Sequence, residues 1–150
     1  MGCTLREVLE AAGAEEVQAV QVGGASGRTV GPDRLDGRLS YDALPPGGSI
    51  MVFGPERDML DVLEGFLEFF VHESCGQCTP CREGNVRLLD AVRSYRRGEM
   101  DREGLSPFFK LAEVMRLGSK CGLGQTSSNC FVDIITGFPR PDDLHGREGA

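Results

Sequence analysis

The spacing of apolar residues changes partway along the chain, from a strand-like pattern to a helical one. Residues 17–22 alternate apolar with polar side chains except at one step, and two glycines follow, which predicts a strand that runs into a turn. Residues 27–30 could supply its hairpin partner, and residues 49–53 predict a further, buried strand that ends at a Gly-Pro pair. The first part of the chain is therefore predicted to contain a small sheet.

Capping residues indicate two short helical segments beside these strands. Thr4 is followed three positions later by Glu7 and by apolar residues at helical spacing, a capping box that predicts a helix ending at Gly13. Residues 39–44 predict a helical turn capped by Ser40 and stopped by the Pro-Pro-Gly-Gly run that follows. No arrangement of Asp, Glu, His or Ser in this part of the chain suggests catalysis.

Helical periodicity dominates the second part of the chain. Apolar residues at three- and four-residue steps predict a helix over residues 58–72 and another that follows a cysteine-rich loop and ends at Gly98. Ser106, which precedes a proline, is predicted to cap a third helix ending at Gly118. A last helix is predicted at residues 127–135.

The change in periodicity predicts an α+β protein with three successive regions. Residues 1–54 form a small α+β domain, residues 58–138 a helical domain, and residues 139–150 a polar tail. The domain limits follow from where alternation ends and where the last apolar helix stops.

Charge and hydropathy narrow the classes of function. The 150-residue chain has a formal net charge of −7 and a sequence pI near 4.8, which argues against nucleic-acid binding because phosphate contacts are made mainly by Lys and Arg. No apolar run reaches the roughly 20 residues that span a bilayer. The first residues lack the basic start and apolar core of a signal peptide, so a cytoplasmic protein is expected.

The candidate chemistry lies in the cysteines. Cys75, Cys78 and Cys81 follow one another at two-residue spacing, and Cys121 lies far downstream beside two glycines. A triple-cysteine run plus one distant cysteine is a recurrent way of holding a [4Fe–4S] cluster. Cys130 is the alternative fourth ligand, although its position on the apolar side of a predicted helix favours a buried free thiol.

A zinc site made of the same four cysteines is the competing interpretation, and it would hold the fold without carrying electrons. Zinc sites usually pair two separated C-x2-C turns, so the spacing here favours the cluster. His72 could replace a cysteine ligand, but a histidine at a helix end often serves only the helix dipole. Arg82 and Lys120 either offset the charge of a cluster or are solvated surface charges, and Cys3 is an incidental thiol.

Residues 72–84, HESCGQCTPCREG, resemble the cluster signature of the NADH-binding flavoprotein subunit family. This family includes the flavin-carrying subunit of respiratory complex I and the matching subunits of NAD-linked hydrogenases and formate dehydrogenases. Residues 121–127, CGLGQTS, and residues 48–55, GSIMVFGP, resemble the hydrogenase and formate dehydrogenase branch more than the respiratory one.

The resemblance implies a fold and a ligand set. In the family, the matching region is a soluble-ligand-binding β-grasp domain followed by a four-helix-bundle-like domain that carries one [4Fe–4S] cluster. Cys75, Cys78, Cys81 and Cys121 match the family's ligands, and the cluster relays single electrons between a flavin and clusters of a neighbouring subunit.

Nothing in residues 1–54 matches the family's flavin- and NADH-binding domain, so the chain is not expected to hold FMN stably or to oxidise NADH alone. The predicted function is an electron-transfer subunit of a multisubunit NAD-linked oxidoreductase of the hydrogenase or formate dehydrogenase type. Its partners would be a flavin- and NADH-binding subunit, iron–sulfur subunits and the hydrogenase or formate dehydrogenase catalytic subunit. The alternative function is a non-redox assembly or docking module with a structural four-cysteine metal site.

Overall fold

A computed structural model describes residues 2–140 and has the predicted α+β composition. The chain divides into two compact units, Met1–Asp58 and Met59–Ala150. Most of the predicted polar tail, residues 141–150, lies outside the described residues. Within residues 2–140, no helix is long and apolar enough to cross a membrane.

The first unit is built on a three-stranded antiparallel sheet. The strands are β1 (Ala19–Val22), β2 (Arg28–Val30) and β3 (Ile50–Phe53). Strand β1 is central and pairs with β2 on one side and β3 on the other; Val20 lies opposite Val30 and Val52. The predicted hairpin is confirmed, but the prediction that β3 is buried is wrong, because Val52 is 42% exposed on an edge strand.

Helix α1, Leu5–Ala11, begins at the predicted capping box. The Glu7 backbone N–H donates to Thr4 Oγ1 at 3.2 Å, and the Thr4 N–H donates to Glu7 Oε2 at 2.7 Å, which satisfies two of the N–H groups that a helix start leaves unpaired. The buried face of α1 then packs on the sheet. The core of this unit consists of Leu5, Leu9, Val20, Val22, Val30, Leu35, Leu39 and Leu44.

One polar pair is buried inside the sheet. Gln21 is fully buried, and its side-chain carbonyl accepts a hydrogen bond from the Thr29 hydroxyl. Its amide nitrogen donates to the backbone oxygen of Gly24 at 2.7 Å. Gly23 and Gly24 adopt φ values of 91° and 71°, which glycine accepts more readily than other residues. The Gln21 side chain therefore helps to hold the hairpin turn.

The second unit is helical. Its helices are α2 (Met59–Glu73), α3 (Thr79–Arg96), α4 (Ser106–Gly118), α5 (Gly122–Thr126) and α6 (Asn129–Gly137). Helix α2 packs on α3 and α6, and α3 also packs on α4. The predicted apolar stripe of α2 is confirmed by its buried residues Met59, Leu60, Leu63, Leu67 and Phe70. After α6, Arg140 donates to the Tyr95 backbone oxygen at 2.7 Å and lies over the Tyr95 ring.

Two features of this unit differ from the predictions. Ser106 does not cap α4: a 3-10 turn over Glu103–Leu105 leads directly into the helix, and Ser106 is its first residue. The last helix begins at Asn129, and the preceding segment forms the separate short helix α5. The glycines of α5 have low helix propensity, so its formation depends on packing.

Ion pairs join the exposed faces of α2 and α3. Arg93 Nε lies 2.8 Å from Glu64 Oε1, and Arg96 Nη2 lies 3.2 Å from Asp61 Oδ1. The hydrogen bond from Arg93 lowers the pKa of Glu64, although partial burial opposes it. Both arginines lie in the last turn of α3, where cations favour the helix dipole, and both also pair with carboxylates of α2.

Candidate metal centre

Two segments of the helical unit bring four thiols together. Cys75 is exposed in the loop between α2 and α3, Cys78 directly precedes α3, and Cys81 lies in its first turn, 4% exposed. Cys121 is exposed and directly precedes α5. Burial is the main cause that raises the pKa of Cys81, and the charges of Cys78, Cys121 and Cys75 add to it. The predicted cysteines are therefore electrostatic neighbours.

Among the described residues, these thiols are not arranged as the ligands of a single metal ion. Four thiolates on one zinc, at Zn–S near 2.3 Å, would place their sulfurs about 3.8 Å apart. No three His, Cys, Asp or Glu side chains within residues 2–140 converge closely enough to hold one ion. A four-iron cluster takes each thiolate on a different iron, and its ligands consequently stand further apart.

The shape of the cysteine loop is set by hydrogen bonds to its backbone. Gly76 has φ of 75°, in the left-handed region that favours glycine. Arg82 Nη1 donates to the Gly76 carbonyl at 2.7 Å, and the Gly76 N–H donates to Ser74 Oγ at 3.4 Å. Arg82 also pairs with Glu83 at 3.0 Å. Arg82 therefore stabilises the loop conformation. The sequence predicted only charge compensation or a solvated surface charge for this residue.

Backbone N–H groups face the Cys78 thiol. Hydrogen bonding from the Lys120 backbone is the main cause that lowers the pKa of Cys78; burial opposes it, and the Cys81 backbone adds to the lowering. Ser119 Oγ is buried without a partner in hydrogen-bonding geometry, yet it lies close enough to contribute to the same lowering. Lys120 thus acts on the site through its backbone, whereas the prediction concerned its side-chain charge.

The buried Cys81 thiol is contacted by two polar side chains. Burial is the main cause that raises the pKa of Cys81, and the Ser74 hydroxyl, 3.4 Å from its sulfur, partly offsets this. Asn85 Nδ2 donates to Cys81 Sγ at 3.4 Å and to the Cys81 carbonyl at 3.0 Å. Sequence reasoning missed both residues. The available signal was a polar residue one helical turn after a cysteine, on the side of the helix that becomes buried.

A close backbone approach places α5 beside the first turn of α3. A Cβ atom at Gly124 would lie 2.6 Å from Ser119 Cβ and 2.9 Å from Cys81 Cβ, so only glycine fits without a shift. At Gly122, by contrast, a Cβ would meet nothing within 4 Å. Of the two glycines after Cys121, only Gly124 is required by packing.

The other candidate residues lie elsewhere. Cys130 is fully buried in α6, where its thiol donates to the Ser127 carbonyl at 3.3 Å and burial raises its pKa to about 12. His72 is exposed in the last turn of α2, and Cys3 is exposed in the first unit. The environment of Cys130 is that of a core thiol.

The residues around the thiols fit a four-thiolate cluster. The donor set contains only sulfur, which suits iron–sulfur centres. Backbone N–H groups from Lys120 and Cys81 already point at one sulfur, the Asn85 amide nitrogen donates to another, and the Ser119 hydroxyl is buried without a hydrogen-bond partner. The site is therefore provided with donors for anionic sulfur.

Comparison with known proteins gives consistent matches. Residues 61–143 match the family model described as the NADH-ubiquinone oxidoreductase-F iron-sulfur binding region. The chain is 38% identical over 140 residues to the NAD-reducing hydrogenase HoxS subunit alpha of Cupriavidus necator, covering 92% of the chain and 23% of that protein. It is 33% identical over 156 residues to the NADP-reducing hydrogenase subunit HndC of Solidesulfovibrio fructosivorans, covering 97% of the chain and 32% of that protein.

A solved structure has the same fold. The crystal structure of an NAD+-reducing [NiFe]-hydrogenase in the H2-reduced state superposes with a TM-score of 0.87 and 36% sequence identity, over 95% of this chain and 26% of the matched chain. The chain therefore spans roughly a quarter to a third of the length of the relatives it matches.

Proposed function

Because the chain belongs to the family of NADH-ubiquinone oxidoreductase-F iron–sulfur binding regions, we propose that it is an electron-transfer component carrying one [4Fe–4S] cluster in a multisubunit NAD-linked oxidoreductase. The observation that carries the proposal is that the charges of Cys75, Cys78 and Cys121 act on the Cys81 thiol, so that four thiols from two segments of the helical unit are electrostatic neighbours. A hydrogenase-type complex is favoured, since the first two relatives are subunits of NAD- and NADP-reducing hydrogenases.

In this proposal, Cys75, Cys78, Cys81 and Cys121 are the ligands. When bound, a [4Fe–4S] cluster supplies one-electron transfer at a potential set by charge, burial and hydrogen bonds to sulfur. The chain's own residues orient the thiolates and stabilise their charge, above all through the N–H groups that lower the pKa of Cys78. The lowered pKa favours the thiolate form that binds metal.

The exposure of the thiols supports a relay role. Cys75 and Cys121 are exposed while Cys81 is buried, so a centre held by all four would lie at the edge of the helical unit. An edge position lets redox partners approach closely. The proposed partners are a flavin- and NADH-binding subunit on one side, and iron–sulfur subunits with the hydrogenase or formate dehydrogenase catalytic subunit on the other.

The finer fold assignments belong to the same proposal. We assign residues 1–54 to a β-grasp domain, supported by the antiparallel sheet with α1 packed against it. We assign residues 58–138 to a four-helix-bundle-like iron–sulfur domain, supported by the mutual packing of α2, α3, α4 and α6. A cytoplasmic location is also proposed, since all six cysteines are free thiols, as expected in a reducing compartment.

Metal analysis of the anaerobically purified chain tests the proposal. We expect about four iron and four sulfide per chain and an EPR signal that appears on reduction. One zinc without sulfide would instead support the structural metal site, and the electron-transfer role would be withdrawn.

Matched cysteine variants test the ligand set. Cys121→Ser should lose the four-iron EPR signal, whereas Cys3→Ser, which replaces an exposed thiol of the first unit, should keep it. Cys130→Ser should also keep its iron and sulfide. Loss of the cluster in Cys130→Ser but not in Cys121→Ser would exchange the two residues in the ligand set.

A further inference from the structure

Asn85 is a buried polar residue whose presence helix formation does not explain. It is fully buried in the interior of α3, one turn after Cys81. Asparagine is not favoured inside helices, because its amide competes with the backbone for hydrogen bonds. The side-chain oxygen of Asn85 is also buried without a partner, which costs stability. A buried polar group with this cost calls for an explanation.

The Asn85 amide is held in one orientation. The Cys81 carbonyl can only accept, so the group 3.0 Å from it must be the Asn85 NH2. The same nitrogen lies 3.4 Å from Cys81 Sγ, so its two hydrogens are directed to the carbonyl and to the sulfur. An asparagine can supply both hydrogen bonds, whereas a leucine of similar size can supply neither.

Ser74, which precedes Cys81 in the chain, contacts the same sulfur. Its hydroxyl oxygen accepts the Gly76 N–H at 3.4 Å, which leaves its own hydrogen available for Cys81 Sγ, 3.4 Å away. One buried sulfur therefore has two neutral side-chain donors within reach.

We propose that Asn85 and Ser74 are positioning residues that raise the reduction potential of the centre through N–H···S and O–H···S hydrogen bonds to Cys81. This inference rests on the function proposed above. Reduction adds one negative charge, so donors directed at sulfur stabilise the reduced form more than the oxidised form. The effect is strengthened by the burial of Cys81, because hydrogen bonds are electrostatically stronger at low dielectric.

A redox titration of the full chain, loaded anaerobically with iron and sulfide, tests the inference. An electrode with mediator dyes supplies the single electron, and the EPR signal reports the reduced fraction. At the wild-type midpoint potential, Asn85→Leu should raise the oxidised-to-reduced ratio by about tenfold, equivalent to about 59 mV for a one-electron couple. Ser74→Ala should change the ratio in the same direction by about threefold.

Ser128→Ala is the matched control. It also removes a buried hydroxyl, but that hydroxyl donates to the Ala112 carbonyl at 3.3 Å. Its midpoint potential should equal that of the wild type. If both test variants hold four iron at the wild-type potential, or shift no more than this control, the inference is overturned.

If Asn85→Leu fails to fold, a spectroscopic measurement on a chain that keeps Asn85 tests the same hydrogen bond. The chain contains two asparagines, Asn85 and Asn129. Labelling the asparagine amide with 15N in an Asn129→Gln background should give a 15N hyperfine coupling to the reduced centre, together with a proton coupling that exchanges in D2O. Absence of the 15N coupling in a loaded chain overturns the role of Asn85.

Iron and sulfide analysis separates failure of this inference from failure of the proposed function. A wild-type chain that takes up no four-iron cluster overturns both. A wild-type chain that holds the cluster, with variants that leave its potential unchanged, overturns the tuning role alone.

Discussion

Both units of the chain bury polar side chains, but the two units differ in how completely these groups are hydrogen-bonded. In the sheet unit, Gln21 and Thr29 bond to each other and to the hairpin backbone. In the helical unit, Asn85, Ser119 and Ser127 each bury one polar atom that has no hydrogen-bond partner. Satisfied pairs of the first kind specify a fold, whereas unsatisfied groups call for a further explanation such as a bound group.

The difference indicates where the chain gives up stability. The sheet unit is stabilised by its own residues: its apolar side chains form one core, and its buried polar pair is hydrogen-bonded. In the helical unit, burial and the charges of three neighbouring thiols raise the pKa of Cys81, and the side-chain oxygens of Asn85 and Ser119 are buried without a hydrogen-bond partner. A bound group that accepts hydrogen bonds at sulfur would give the Ser119 hydroxyl a partner.

Loading the centre should have the largest effect and should separate the two units. A ligand present at about 100 times its Kd stabilises the folded state by about 2.7 kcal/mol. Amide hydrogen exchange should therefore slow in α5 and in the first turn of α3 when iron and sulfide are bound, and remain unchanged in β1 and β2. Equal slowing in both units, or none, would contradict the comparison.

Gly124→Ala should destabilise the helical unit far more than Gly122→Ala does. The added Cβ would lie 2.6 Å from Ser119 Cβ and 2.9 Å from Cys81 Cβ, an overpacking expected to cost about 3 kcal/mol. Gly122→Ala meets nothing within 4 Å and should be neutral or slightly stabilising, since Ala favours helix. Thermal unfolding measures both. Equal melting temperatures for the two variants would show that α5 tolerates a shift.

Thr29→Val and Ser127→Ala compare a satisfied with an unsatisfied hydroxyl. Thr29→Val keeps the shape of the side chain but leaves the Gln21 carbonyl without its partner, which should cost about 1–2 kcal/mol. Ser127→Ala removes a buried hydroxyl that has no partner, so the free energy of unfolding should stay within about 0.5 kcal/mol of wild type. Urea denaturation of the chain without iron checks the pair; a larger loss in Ser127→Ala would reverse the interpretation.

Glu64→Gln should give the smallest effect and a pH dependence. Pairing with Arg93 lowers the folded-state pKa of Glu64, so its stabilisation is present above the unfolded-state pKa of about 4.3 and is lost as pH falls through the folded-state value. The substitution should cost at most about 1 kcal/mol at pH 7. Below the folded-state pKa, the melting temperatures of variant and wild type should converge; a constant difference down to that pH would show that the cost is not electrostatic.

Local patterns were sufficient for elements whose causes lie within a few residues. The Thr4 and Glu7 capping box, the hairpin around Gly23 and Gly24, and the apolar stripe of α2 all follow from short-range spacing. The same reasoning failed for Ser106, because serine in front of a proline does not reveal that a 3-10 turn leads into the helix. It also missed α5, whose glycines argue against a helix until their packing is known.

The sequence by itself determined the family, the α+β class and the cysteines that are candidates for one centre, because these depend on residue types at fixed spacing along the chain. Only the tertiary structure decided that Gly124 packs against Cys81 while Gly122 packs against nothing, and that Asn85 and Ser74 both reach the Cys81 sulfur. The Gly124 contact depends on how helices distant in sequence approach each other, and spacing along the chain carries little information about that approach. Asn85 and Ser74 lie within seven residues of Cys81, but only helix packing decides that this side of α3 is buried.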